Sequence, residues 1–110
     1  AKMNAAEFTL FKTRMSGAFP SVGGWLARLG PDIKDAQLRI WSDVLADVPL
    51  TDALEVVTAI SSGELPPFGN YDSDRERIAV VIQGHCLDSA RERRQAERQE
   101  QERTGRPRNQ

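Results

Sequence analysis

An all-α fold is predicted for this chain by three observations. Apolar residues recur at 3- and 4-residue steps in four segments, Gly and Pro punctuate the gaps between them, and no β-alternation of useful length occurs anywhere. The 110 residues suffice for one domain and not comfortably for two. The expected architecture is a small bundle of four or five short helices within residues 1–89, followed by a charged C-terminal tail, partly helical or disordered, over residues 90–110.

Met3 reads as the natural start, with Ala1 and Lys2 set ahead of it. Asn4 with Glu7 three positions on is a helix entry, an N-cap oxygen paired with an acidic residue. Phe8, Phe11 and Met15 then share one helical face, and Gly17 and Pro20 are the expected stop. The stretch GGWLARLGP has room for one or two turns, with Trp25, Leu26 and Leu29 on one side. Trp25, beside two glycines, suits either core or contact surface. The clearest helix is DIKDAQLRIWSDVLADVP, where Leu38, Trp41, Val44, Leu45 and Val48 form the apolar stripe and Trp41 is a core residue. Pro49 forces a turn, and Thr51 is the expected N-cap of a helix that buries Leu54, Val56, Val57 and Ile60 and ends at Gly63.

The joint LPPFGNY follows. Pro66 and Pro67 exclude helix, so the joint is a stiff, extended connector whose Phe68 and Tyr71 can either pin it to the body or meet a partner. Ser73 and Glu76 have capping-box spacing for a last helix that turns Ile78, Val81, Ile82 and Cys86 inward. Beyond Leu87 the apolar residues stop. Pairs such as Arg93–Glu97 and Arg98–Glu102, each worth about 0.3–0.5 kcal/mol, favour a few more helical turns but not order through the final TGRPRNQ.

Charge is unevenly placed along the chain. Residues 1–89 hold 8 basic and 12 acidic side chains, whereas residues 90–110 hold 7 basic and 4 acidic. An acidic body with a mildly basic tail suits a protein partner of mixed charge better than duplex DNA, which calls for a strong basic stripe. One cysteine, Cys86, precludes an intramolecular disulfide, and neither a membrane span nor a signal-peptide pattern is evident, so the expected location is cytoplasmic.

Chemistry is sparse. The chain has no Gly-Lys pair and therefore no phosphate-binding loop of the Gly-Lys-Ser/Thr kind. One His and one Cys, adjacent on a helix, diverge too far to form a metal site, and no cofactor is expected. His85, Asp88 and Ser89 would share a helix side, but a nucleophilic mechanism also needs a pocket and an oxyanion hole. They read as a solvated patch where core gives way to tail, and Cys86 reads as a small apolar filler. No enzyme is expected. The residues to weigh for binding are Arg91, Arg93, Arg94 and Arg98 of the tail, with Phe68 and Tyr71 of the joint; a solvated helix extension is the alternative for the arginines.

One ordered set of residues resembles the small phage and prophage replication proteins that load or restrain a replicative helicase. It comprises Phe19-Pro20, then Trp41, Leu45, Asp47 and Pro49, then Ala53, Pro66-Pro67 and Ile78, within roughly residues 5–85. The segment SVGGWLARLGPD lengthens the gap before Trp41, and the tail is short for the group. The resemblance implies a small helical domain whose C-terminal segment contacts the ring helicase, with an origin-bound initiator as a second partner. The expected function is then a non-enzymatic adaptor of phage-type DNA replication. The alternative is a helical DNA-binding or regulatory domain that places its arginine-rich tail on phosphates, with the strong salt dependence of counterion release.

Overall fold

The computed structural model describes residues 3–103, apart from the side chains of Ser89 and Ala90. Six α-helices occur among them, and no strand: α1 (Ala5–Ala18), α2 (Pro20–Arg28), α3 (Pro31–Val44), α4 (Leu50–Ser62), α5 (Asp72–Glu76) and α6 (Ile78–Arg103). The fold is all-α. The expectation that Thr104–Gln110 stay unordered concerns residues outside those described.

The capping box at Asn4 forms in full: the Glu7 N–H donates to Asn4 Oδ1 at 2.8 Å, and the Asn4 N–H donates to Glu7 Oε1 at 3.0 Å. Helix α1 then buries Phe11 and Met15 against α4 and α2. Gly17 stays inside the helix, and Pro20 alone ends it. Its ring forces Phe19 out of helical geometry (φ −127°, ψ 80°), while its fixed φ suits the first position of α2. For the same reason α2 is longer than its apolar residues suggest, nine residues that bury Val22, Trp25 and Leu26.

Helix α3 stops at Val44, earlier than its apolar stripe, yet Leu45 and Val48 remain buried because the turns before Pro49 keep them on the core side. The N-cap of α4 is Pro49 and not Thr51. Pro49 has no N–H to leave unsatisfied, its φ of −63° fits the entry, and its carbonyl accepts the Ala53 N–H at 3.1 Å. Ala53, Val56, Val57 and Ile60 face the core, whereas Leu54 is only half-buried. Gly63 ends α4 at φ +91°, the left-handed region that favours glycine.

The expected Ser73–Glu76 box is replaced by an earlier start. The Tyr71 N–H donates to Asp74 Oδ2 at 3.1 Å, so Asp74 supplies the reciprocal acceptor and Ser73 lies exposed inside the short α5. After a break at Arg77, α6 buries Ile78, Ala79, Ile82 and Cys86, with Val81 half-buried.

Trp41 joins the two halves of the core. Its ring stacks on Trp25 with centroids 6.2 Å apart, and its Nε1–H donates to the Glu76 carbonyl at 3.1 Å, tying α3 to the end of α5. Trp25 is therefore core. Nearby, Gln83 Nε2 donates to the Val44 carbonyl at 3.1 Å, satisfying one of the acceptors that the end of α3 leaves without a helical partner. The result is a packed body from which the second half of α6 projects, and the molecule measures 62 × 28 × 20 Å.

Candidate interaction surface

The 26 residues of α6 rise about 39 Å at 1.5 Å each, far more than the body can cover. Its core stripe, Ile78, Ile82 and Cys86, continues at helical spacing to Arg93. Arg93 consequently points back at the body, where its guanidinium lies 3.9 Å from Asp52 Oδ2 in the first turn of α4. This pair secures the base of the projecting segment. It is partly exposed on both sides, so its own contribution stays within about 0–1 kcal/mol.

Arg91, Arg94 and Arg98 follow one another at 3- and 4-residue steps, about 100–160° round α6 from Arg93, and all three are exposed. Arg91 lies 3.9 Å from Asp88 within a highly exposed pair, and Arg103 pairs with Glu100 further along. Arg91, Arg93, Arg94 and Arg98 thus divide three to one: three form an outward face and one holds the base.

The two aromatics of the joint also separate. Phe68 is half-buried and meets Phe19 edge-on at 5.2 Å, pinning the extended connector to the end of α1. Tyr71 is 78% exposed. Arg75, whose side chain is largely covered, holds the chain between them by donating to the Asn70 carbonyl at 3.1 Å and to Asp72 Oδ1 at 3.3 Å. Thirteen residues of α6 separate Ile78 from Arg91, about 20 Å of helix. Tyr71 and the arginine face therefore form two places on the molecule and not one continuous site.

A groove of about 580 Å³ runs between α4 and α6, lined by Asp52, Leu54, Glu55, Leu65, Cys86 and Arg93 among others. Sequence reading missed it, because its two walls are set by the Arg93–Asp52 pair, 41 residues apart. The Arg93 end was legible, since it continues the spacing of Ile82 and Cys86; the Asp52 end was not. Cys86 is buried at the groove's inner wall. Desolvation, with Asp52 adding to it, raises its thiol pKa from 9.0 to about 11, so at neutral pH it carries no thiolate to attack with.

The chemistry of the remaining polar residues is correspondingly plain. Asp88 stands by Arg91, His85 is half-buried, and the Ser89 side chain lies outside the described residues. Among the described residues no side chain that is polar or charged is buried, and no group of His, Cys, Asp and Glu is arranged to hold a metal ion. No described helix is long and apolar enough to cross a membrane. The arrangement suits contact with a macromolecule along an exposed helix face. No family model, curated protein or solved structure matches the chain.

Proposed function

We propose that this chain is a non-enzymatic adaptor of phage-type DNA replication that binds a replicative helicase and loads or restrains it. The observation that carries the reading is the projecting half of α6, which offers Arg91, Arg94 and Arg98 on one exposed face beyond a body too small to cover them. The resemblance of the body supports it further. Most of its residues fall where the architecture is decided: Phe19-Pro20 at the α1–α2 break, Trp41 and Leu45 in the core, Pro49 at the entry to α4, Ala53 fully buried, and Ile78 where α6 begins, whereas Asp47 and Pro66-Pro67 are exposed.

The mechanism is recognition without covalent chemistry. The arginine face meets carboxylates on the helicase, the exposed ends of these pairs keep the contact salt-sensitive and reversible, and the body stays outside as a handle. Reversibility is what a loader or restrainer requires, because the helicase must afterwards be released. An origin-bound initiator is the second partner that the resemblance implies.

The test is direct binding of the full chain to the purified ring helicase of its host, beside a triple Arg91→Glu, Arg94→Glu, Arg98→Glu variant. The expected result is saturable binding that weakens at least about tenfold in the variant, a change of about 1.4 kcal/mol. Absence of helicase binding, together with duplex-DNA affinity that falls steeply with salt, would replace the adaptor with the DNA-binding alternative.

A further inference from the structure

Helix α3 has a second apolar face, turned away from Trp41. Ile33 is 62% exposed and Ile40, seven residues on, is 56% exposed, with Ala36 between them. A shallow groove along this face is lined by Asp32, Asp35, Ala36, Arg39, Ile40 and Asp43, three carboxylates against one guanidinium. Two large exposed aliphatics one heptad apart on a helix with an acidic border form an unpartnered docking face.

The outward face of α6 is its counterpart. Val80 and Leu87 are exposed and again seven residues apart, and Leu87 is followed at 4, 3 and 4 residues by Arg91, Arg94 and Arg98. One helix of this chain therefore presents aliphatics with aspartates, and another presents aliphatics with arginines. The lengths agree as well. Leu87 to Arg98 is eleven residues and Asp32 to Asp43 is eleven residues, each about 16 Å of helix. With the two helices parallel and Leu87 seated by Ile33, Arg91 and Arg94 lie about 8 and 12 Å along from Asp32, inside the span of the aspartates, and Arg98 lies within about one residue of Asp43.

We infer that this chain associates with a second copy of itself, the Leu87–Arg98 face of α6 on one copy docking against the Ile33–Ile40 face of α3 on the other. Leu87 against one isoleucine supplies the apolar centre of the contact, and the Arg–Asp pairs set its register and reject misaligned docking. The surfaces in contact differ, so a single contact adds copies head to tail, whereas two reciprocal contacts close a two-fold, isologous pair. The patch is small and its charges lie at the rim, so the complex is weak and salt-sensitive. The inference stands on these two faces and does not depend on the helicase reading.

Charge reversal in both directions tests it. Sedimentation velocity of the full chain at low salt is expected to show a weight-average mass that rises with concentration towards a multiple of the monomer and falls back in high salt. An Asp32→Arg, Asp35→Arg, Asp43→Arg variant brings basic face to basic face, and an Arg91→Asp, Arg94→Asp, Arg98→Asp variant brings acidic to acidic; each alone is expected to sediment as a monomer. Mixing the two restores complementary faces at every contact, and the mass is expected to rise again. Circular dichroism verifies that each variant is folded, and Ile33→Ser with Ile40→Ser, which keeps every charge, provides an independent disruption. A wild-type chain that stays monomeric at millimolar concentration in low salt overturns the inference, as does a mixture of folded variants that fails to associate.

Discussion

Replacing Trp41 by Phe tests the account of the core most sharply, because one substitution removes two separately visible interactions. The Nε1–H that donates to the Glu76 carbonyl at 3.1 Å disappears, leaving a part-buried acceptor between α5 and α6 without that donor. A hydrogen bond of this kind contributes about 1 kcal/mol, and an orphaned acceptor costs up to about 3 kcal/mol. The ring also shrinks by about 40 Å³ at a site with 1% exposure, which at about 24 cal/mol per Å³ of unfilled cavity adds close to another 1 kcal/mol. The expected loss is about 2–4 kcal/mol, read as a lower midpoint in urea with an unchanged slope, followed by far-UV circular dichroism. Leu10→Ala, at a position 60% exposed on α1, is the control and is expected to cost less than about 0.5 kcal/mol. A Trp41→Phe loss as small as that of Leu10→Ala would refute the assignment of Trp41 as the joint between the halves of the core.

Four further outcomes follow from particular contacts. A Cβ at Gly69 would run into the Asp74 carboxylate that accepts the Tyr71 N–H, so Gly69→Ala is expected to cost about 1 kcal/mol in thermal unfolding and little more in an Asp74→Ala background, where the cap is already gone. The Cys86 thiol, raised to about 11 in the folded chain, keeps its proton where the unfolded chain loses it at about 9; stability is therefore full below pH 9 and falls as pH rises towards 11, by about 2–3 kcal/mol in all, and Cys86→Ala abolishes that fall in denaturation titrations. If self-association covers the arginine face, the Asp32→Arg, Asp35→Arg, Asp43→Arg variant leaves that face free and binds helicase more tightly than the wild-type chain in a direct titration. Ala96→Pro breaks α6 between Arg94 and Arg98 without changing charge, and its expected effects are lower ellipticity and weaker helicase binding; unchanged affinity would mean that charge count alone is read and not the helix face.

Much of this fold was legible because local chemistry and packing agree. Asn4 and Glu7 cap α1 through hydrogen bonds within four residues, Gly63 takes the one positive φ among the described residues, and Trp41 and Val57 sit where helical spacing places them. Two of the misreadings share a cause: several side chains compete to cap a helix within one turn. Thr51 and Pro49 both suit the entry to α4, and Ser73 and Asp74 both suit the last entry; the choice is made by how the chain leaves the preceding turn, which spacing does not encode. Phe68 and Tyr71 illustrate the same limit. Both are aromatic, three residues apart on one connector, and only the position of Phe19 at the distant end of α1 decides that Phe68 is held and Tyr71 is left outside. For the tail, composition reveals the arginines, whereas their division into Arg93 and the outward three requires the helix to continue through residue 93 in phase with Cys86.

That continuity alters what recognition by the tail demands. A free segment of Arg, Glu and Gln of this length is a marginal helix in water, because the first turn costs more than it returns. Residues 91–103 escape that cost. They extend a helix already nucleated in the core by Ile78 and Ile82, and each added residue gains a hydrogen bond without a new start. The Arg93–Asp52 pair lies two turns beyond Cys86, the last buried residue of α6 among those described. A partner then meets arginines already in register and not a coil that must be ordered on contact, so less of the interaction energy is spent on immobilising the segment. The body of this chain is thus more than a handle. Its packing sets the phase of α6, the phase decides which arginines face outward, and a core substitution such as Trp41→Phe, which loosens the start of α6, is expected to be felt at arginines about 20–30 Å further along that helix.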